Sequence, residues 1–189
     1  MRLSTKLFTT LFLYATATLT LALELDTNLS KVKWEGKKIT GEAHSGEIKV
    51  KSGNLELKEG KLIGGNIVID MTKITVTDLK GKLATKLANH LMNKDFFEVE
   101  KHEEAKFVSK VVKKVAEKKY EVKGNLTIKD IEKPASVVLE EKQGAYVGVL
   151  VFDRAKFDVR FNSGSFVKDL GDKLILDDVE LKISLVVKK

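Results

Sequence analysis

Three histidines are the side chains best suited to move protons near neutral pH, and each stands apart from the others. His44 lies in Gly41-Glu42-Ala43-His44-Ser45-Gly46, His90 closes a helical pattern, and His102 sits in Glu100-Lys101-His102-Glu103-Glu104. No two share the i, i+2 or i, i+4 spacing that lets one element present a metal pair. His102 among glutamates reads as a solvated charge run. His44 and His90 could meet in space, one from a strand and one from a helix end, but no third ligand stands out. Ser45 is His44's neighbour in sequence, which does not produce a triad geometry. There is no Gly-x-Ser-x-Gly elbow, and Gly64-Gly65 precedes a strand pattern rather than a helix, so it is no phosphate loop. No two carboxylates single themselves out for glycoside chemistry, and Asp177-Asp178 reads as a turn or bulge. Cysteine numbers 0, which removes thiolate metal sites, a thiol nucleophile and disulfides. The chemistry-bearing residues therefore predict a non-enzymatic protein without a metal site.

What positions these residues is mostly strand. Val32 and Trp34 share a face opposite Lys31, Lys33 and Glu35. Ile48 and Val50, Leu55 and Leu57, and Ile67 and Ile69 repeat the pattern. So do Tyr120 to Ile128, Phe157 to Phe161, and Leu181 to Val187. Period two with one apolar face predicts half-buried antiparallel strands. Turn residues fall between them, as at Glu59-Gly60 and Gln143-Gly144. Ala145 to Phe152 is apolar on both faces, which predicts cover on both sides. Leu79, Leu83, Leu87 and Leu91 recur every four residues, predicting a helix over 78–92 capped by Thr77 or Asp78. Many antiparallel strands with one helix point to an all-β closed barrel of about eight strands, since closure removes sticky edges.

The 189 residues suffice for a leader and one domain. Arg2 and Lys6 precede an uncharged run from Leu7 to Leu23, with small residues at Ala15-Thr16-Ala17 and Thr20-Leu21-Ala22. This predicts a signal peptide over 1–22, a barrel domain over 23–189 and a periplasmic location. Lys+Arg 34 against Asp+Glu 27 gives a modest excess of +7. Lys110, Lys113, Lys114, Lys118 and Lys119 cluster near one hairpin without an aromatic platform. That argues against nucleic acid and leaves contact with an anionic membrane surface as a use. The aromatics Trp34, Phe96, Phe97, Phe107, Tyr146, Phe152, Phe157 and Phe161 either fill a core or line a lumen for a long apolar ligand.

Several motifs, in order, resemble the YceI-like family of polyisoprenoid-binding proteins. They are Ser30 to Trp34, Gly41-x-x-His44-x-Gly46, Gly64-Gly65 through Met71, and His90 to Val99 followed by Ala105-x-Phe107. Val122 to Ile128 with Pro134, and Asp153-Arg154-x-x-Phe157-x-Val159-Arg160-Phe161, continue the series. Asp130 and Asp158 stand where the family has glycine, and Phe157 and Phe161 where it has tyrosine. The resemblance implies a lipocalin-like barrel with the helix by its mouth. It implies an isoprenoid quinone, another polyisoprenoid, or a fatty acid or amide in the lumen, with no cofactor required. It also allows a homodimer. The lining residues expected are Trp34, Leu83, Leu87, Leu91, Phe97, Phe107, Leu150, Phe157 and Phe161, with His44, His90, Arg154 and Arg160 as polar groups at the mouth. Two rivals are a filled barrel with no ligand and a quinone carrier serving a membrane redox partner.

Overall fold

Alternating strands must pair to satisfy their backbones, and here they pair around a ring. The computed structural model describes residues 19–188. The strands are β1 (Thr20–Glu24), β2 (Lys31–Lys38), β3 (Ala43–Lys58), β4 (Lys61–Asp70), β5 (Glu104–Ala116), β6 (Lys119–Ile128), β7 (Ile131–Lys142), β8 (Ala145–Asp153) and β9 (Ile175–Val186). One helix, α1 (Gly81–Met92), follows β4. Neighbours run β1-β3-β2-β9-β8-β7-β6-β5-β4, and β4 pairs back onto β3. β1 lies along Asn54–Lys58 and β2 along Ala43–Ile48 on the same side of β3, so the two form one broken stave. The result is a closed antiparallel barrel of eight staves, as the alternation predicts. The leader pattern over residues 1–18 lies outside the described residues, while Thr20–Ala22 belong to β1 here.

Closure gives the barrel two unlike ends. One holds the tight hairpins at 59–60, 117–118 and 143–144. The other holds the turn after β2, the β4–α1–β5 connection and the long β8–β9 connection. Bulges adjust the inward phase between them. The β3–β4 register shifts between Val50 and Ser52, so Val50 and Leu55 both reach the interior. β9 bulges against β2 between Val179 and Ile175, where Asp177-Asp178 breaks the phase. Gly46 on β3 admits the chain crossing above it. A Cβ there would sit 1.8 Å from the Thr75 carbonyl oxygen, which accepts the Trp34 Nε1–H at 3.0 Å.

Three expectations need correction. The helix begins at Gly81, not Asp78, because Asp78 is used elsewhere. Its carboxylate accepts from His44 Nδ1 at 2.7 Å and from the Ser45 amide at 2.9 Å, which ties the approach to α1 onto β3. Phe157 to Phe161 do not form a strand. Asp153 caps a 3-10 turn over Arg154–Phe157, and Asp158 then takes a left-handed φ of 58°. The outer face of β8 is uncovered among the described residues, with Val149 and Val151 exposed beside Val138. A valine-rich outer face therefore suits a strand in a closed wall without a second layer over it.

Arg154 explains the irregular segment. Its side chain is 1% exposed, and four of its five N–H groups donate hydrogen bonds. Nε donates to the Leu176 carbonyl, Nη1 to Val159 and Phe161, and Nη2 to Ile175, at 2.9–3.4 Å. The remaining Nη2 hydrogen faces Asp177 Oδ1 at 3.3 Å, an ion pair without hydrogen-bond geometry. Asp177 Oδ2 accepts from Ser163 and Ser165. The guanidinium is thus the hub on which the β8–β9 connection is wound. Burial draws the Arg154 pKa down, and Asp177 and Asp153 oppose that shift.

Replacing this hub should be costly. Arg154→Met should lower unfolding free energy by about 3–5 kcal/mol, because Asp177 and four carbonyls lose their partner. Urea denaturation would read it, and a loss within error of zero would refute the assignment. The Asp78 tie predicts a pH signature. Partial burial pushes the Asp78 carboxyl up, but hydrogen bonds from His44, Ser45 and its own amide outweigh that and hold it below the usual value. A lowered native pKa stabilises the fold above the unfolded-state value and is lost as pH falls through and below it. The melting-temperature gap between wild type and Asp78→Asn should therefore shrink as pH drops from about 6 toward 3.

Candidate functional site

Eight staves enclose more space than their inward side chains occupy. A cavity of about 660 Å³ runs inside the barrel. Its wall is almost wholly apolar, from Ile48, Leu55, Leu62, Ile67, Val122 and Leu126 on one side to Val137, Leu150, Leu181 and Leu185 on the other. At the hairpin end Tyr120 and Tyr146 are buried with ring centroids 6.4 Å apart. Burial, then Glu141 and Tyr120, pushes the Tyr146 phenol up to about 12, so this end carries no charge from it at neutral pH. Most polar groups of the cavity gather at the helix end, where Lys37, Lys38, Glu42, His44, Lys86, His90 and Asn162 meet it.

The structure brings most of the expected residues together. Trp34, Leu87, Leu91, Phe97, Phe107, Leu150 and Phe161 line the cavity, as do His44 and His90. Leu83 does not. It continues the stripe of Leu87 and Leu91, but the first turn of α1 overhangs the wall and leaves it 63% exposed. Phe157 is buried outside the lining, packed edge-on against Phe152 at 5.7 Å. Arg160 is exposed, paired with Asp158 and stacked over Phe166 at 5.0 Å. Arg154 borders the cavity, but its donors are consumed by the wall, so it has none left for a ligand.

Two polar arrangements remain at the mouth. The Asp78 carboxylate accepts from His44 Nδ1, which fixes the tautomer and leaves Nε2 as the free nitrogen. Nε2 faces Glu42 Oε1 at 3.6 Å rather than a hydroxyl, so the pair is not built as a nucleophile–base couple. His90 stacks edge-on against Phe161 at 4.5 Å and Phe96 at 5.3 Å. Phe97 adjoins Phe96, and the Arg154 guanidinium lies 5.5 Å from the Phe96 ring centroid. These rings form an aromatic collar just inside the opening. Lys37 is paired with Glu35 and Lys38 with Glu42, whereas Lys86 has no ion pair among the described residues. Among the described residues no three His, Cys, Asp or Glu side chains gather as a metal site.

Sequence reasoning left Phe96 undecided between core and lumen, and missed Asp78 and Lys86 as members of this end. Phe96 lies in the His90–Val99 segment, whose compact turn after α1 buries it together with Val99. Asp78 looked like a helix cap, and nothing in its neighbourhood announced His44, which is 34 residues away. The glycine replacements have a physical basis. Asp130 and Asp158 both hold positive φ, a conformation open to glycine and, among other residues, best tolerated by Asp and Asn. Asp130 also pairs with His102 at 2.8 Å.

Comparison with known proteins agrees with this geometry. A YceI-like domain matches residues 23–187. A UPF0312 protein of Photorhabdus laumondii is 35% identical over 123 residues, covering 62% of this chain and 64% of its own length. A UPF0312 protein of Pseudomonas savastanoi is 49% identical over 45 residues, which span 23% of it. The chain thus spans less than two thirds of the length of these relatives. The crystal structure of Burkholderia cenocepacia BcnA superposes with a TM-score of 0.69 at 25% identity, over 87% of this chain and 99% of BcnA. A polyisoprenoid-binding domain from Saccharophagus degradans shares the fold, with a TM-score of 0.59 at 14% identity, over 89% of this chain and 97% of that domain. An apolar lumen inside a closed eight-stave barrel, the ordered motifs and the domain match agree: the chain belongs to the YceI-like family.

Proposed function

We propose that this protein is a non-enzymatic periplasmic carrier that holds one long apolar chain in its lumen, for transport or storage, with the polar end at the helix mouth. The observation that carries the reading is the apolar cavity of about 660 Å³, with most of its polar lining at one end. A filled barrel would leave no such space. The leader pattern supports export, and the name of the Saccharophagus degradans domain supports the ligand class. Affinity would come from the tail, since each buried methylene contributes about 0.8 kcal/mol, roughly fourfold in affinity. Selection would come from the lumen's length and from its mouth.

The volume sets a limit. At about 30 Å³ per water-sized group, 660 Å³ holds roughly twenty methylenes. That corresponds to a long fatty acid or amide, or about four prenyl units, with any longer tail emerging past α1. Affinity for saturated fatty acids should therefore rise with length and flatten near about twenty carbons. Titration of a chain-length series by displacement of a fluorescent fatty acid would measure this. A rise that continues well beyond that length would refute the volume limit.

Native mass spectrometry of the protein from its own periplasm, followed by solvent extraction, tests the function directly. A stoichiometric prenyl or acyl species supports it. A bare mass that takes up neither added quinone nor fatty amide would refute the carrier reading. Leu87→Trp, which pushes a larger side chain into the lumen, should weaken binding at least tenfold, a loss of about 1.4 kcal/mol, while the chain still folds. Full binding by the folded variant would show that α1 does not line the occupied space.

A further inference from the structure

The helix that covers the mouth has a surface its own barrel does not use. α1 and its N-cap carry Lys80, Lys82 and Lys86, and no acidic residue lies between Lys80 and Met92. None of the three lysines has an ion pair among the described residues, whereas most lysines on the strands are paired. Leu83 stands exposed among them on the overhanging first turn. On the neighbouring connections at this end, Ile39 and Phe166 are also exposed. Ile39 is fastened there by the hydrogen bond its backbone N–H donates to the Leu174 carbonyl. The turn of the opposite end is partly neutralised. In the β5–β6 hairpin, Lys114 pairs with Glu117, Lys118 with Glu141 and Lys119 with Glu140, while Lys110 and Lys113 of that cluster have no ion pair among the described residues and sit on the barrel wall rather than at the turn.

We propose that the overhanging first turn of α1 is a docking surface for an anionic lipid bilayer. Unpaired lysines beside protruding apolar side chains are what an interfacial helix presents to such a surface: the cations meet lipid phosphates and the leucine enters the acyl boundary. An acidic protein would match the lysines but not the exposed Leu83. Docked in this way, Leu83 extends the Leu87–Leu91 stripe outward, so that one apolar track runs from the bilayer into the lumen. The track as a route for ligand rests on the carrier reading; the docking itself does not.

The cysteine-free chain makes the test simple. Leu83→Cys and Lys118→Cys would each carry a polarity-sensitive fluorophore, mixed with phosphatidylcholine vesicles with or without phosphatidylglycerol. The expected result is a blue shift at position 83 only, only with phosphatidylglycerol, and reversed by salt. Lys80→Gln with Lys82→Gln should weaken vesicle binding about 25-fold, a factor of about five per lysine. Neither residue lines the cavity, so fatty-acid binding in vesicle-free solution should be unchanged. No shift at 83, an equal shift at 118, or equally tight binding of soluble polyglutamate would overturn the proposal. Absence of fatty-acid binding by the unsubstituted protein, with docking intact, would instead overturn the carrier reading alone.

Discussion

The interior of this protein stays open because its wall is closed. Backbone hydrogen bonds around eight staves set the circumference, whatever fills the space inside. A two-layer sheet can slide together until its side chains touch, but a ring cannot. The inward positions carry Gly36, Gly64, Gly65 and Ala105 as well as leucines, and these small residues leave room that the larger ones do not take up. Normally an apolar void forfeits contacts on one side and is destabilising. Here the hydrogen-bonded ring carries that cost, which a bound chain would offset.

Polar wiring makes the two ends different. At the mouth, buried or half-buried charges are spent on fixing the chain: Arg154 on four carbonyls, and Asp78 on His44 and the Ser45 amide. These contacts hold irregular backbone in place where the ladder has ended. Such a network is strong because nearly all its donors bind backbone or carboxylate, and weak evidence for ligand contact for the same reason. Groups with unused capacity at this end include His44 Nε2 and Lys86.

Alternation made the barrel legible in the sequence. Val32 and Trp34, or Tyr120 through Ile128, declare a face without knowledge of their partners. Lining residues on regular strands, such as Phe107 and Leu150, follow from that face. Where period two was read into Phe157–Phe161, it failed, because one buried guanidinium imposed a wrapped conformation on the segment. Leu83 failed differently. Its helical phase was right, but phase does not reveal where the wall beneath a helix stops. Asp78 is long-range chemistry at an ordinary capping residue, and a single chain carries no local mark of that.

The broken stave has a kinetic consequence. β2 closes the ring only by pairing with β9, and the Ser30 hydroxyl bonds the Val186 backbone across 156 residues. Nearly all other ladders join strands adjacent in sequence. Hairpins can therefore zip early, while the seam must wait for the final strand and the slow search that so distant a pairing entails. Until then the chain is an open curl with its apolar concavity facing water, vulnerable to self-association. A lipid captured during that interval would act as a template for its own container.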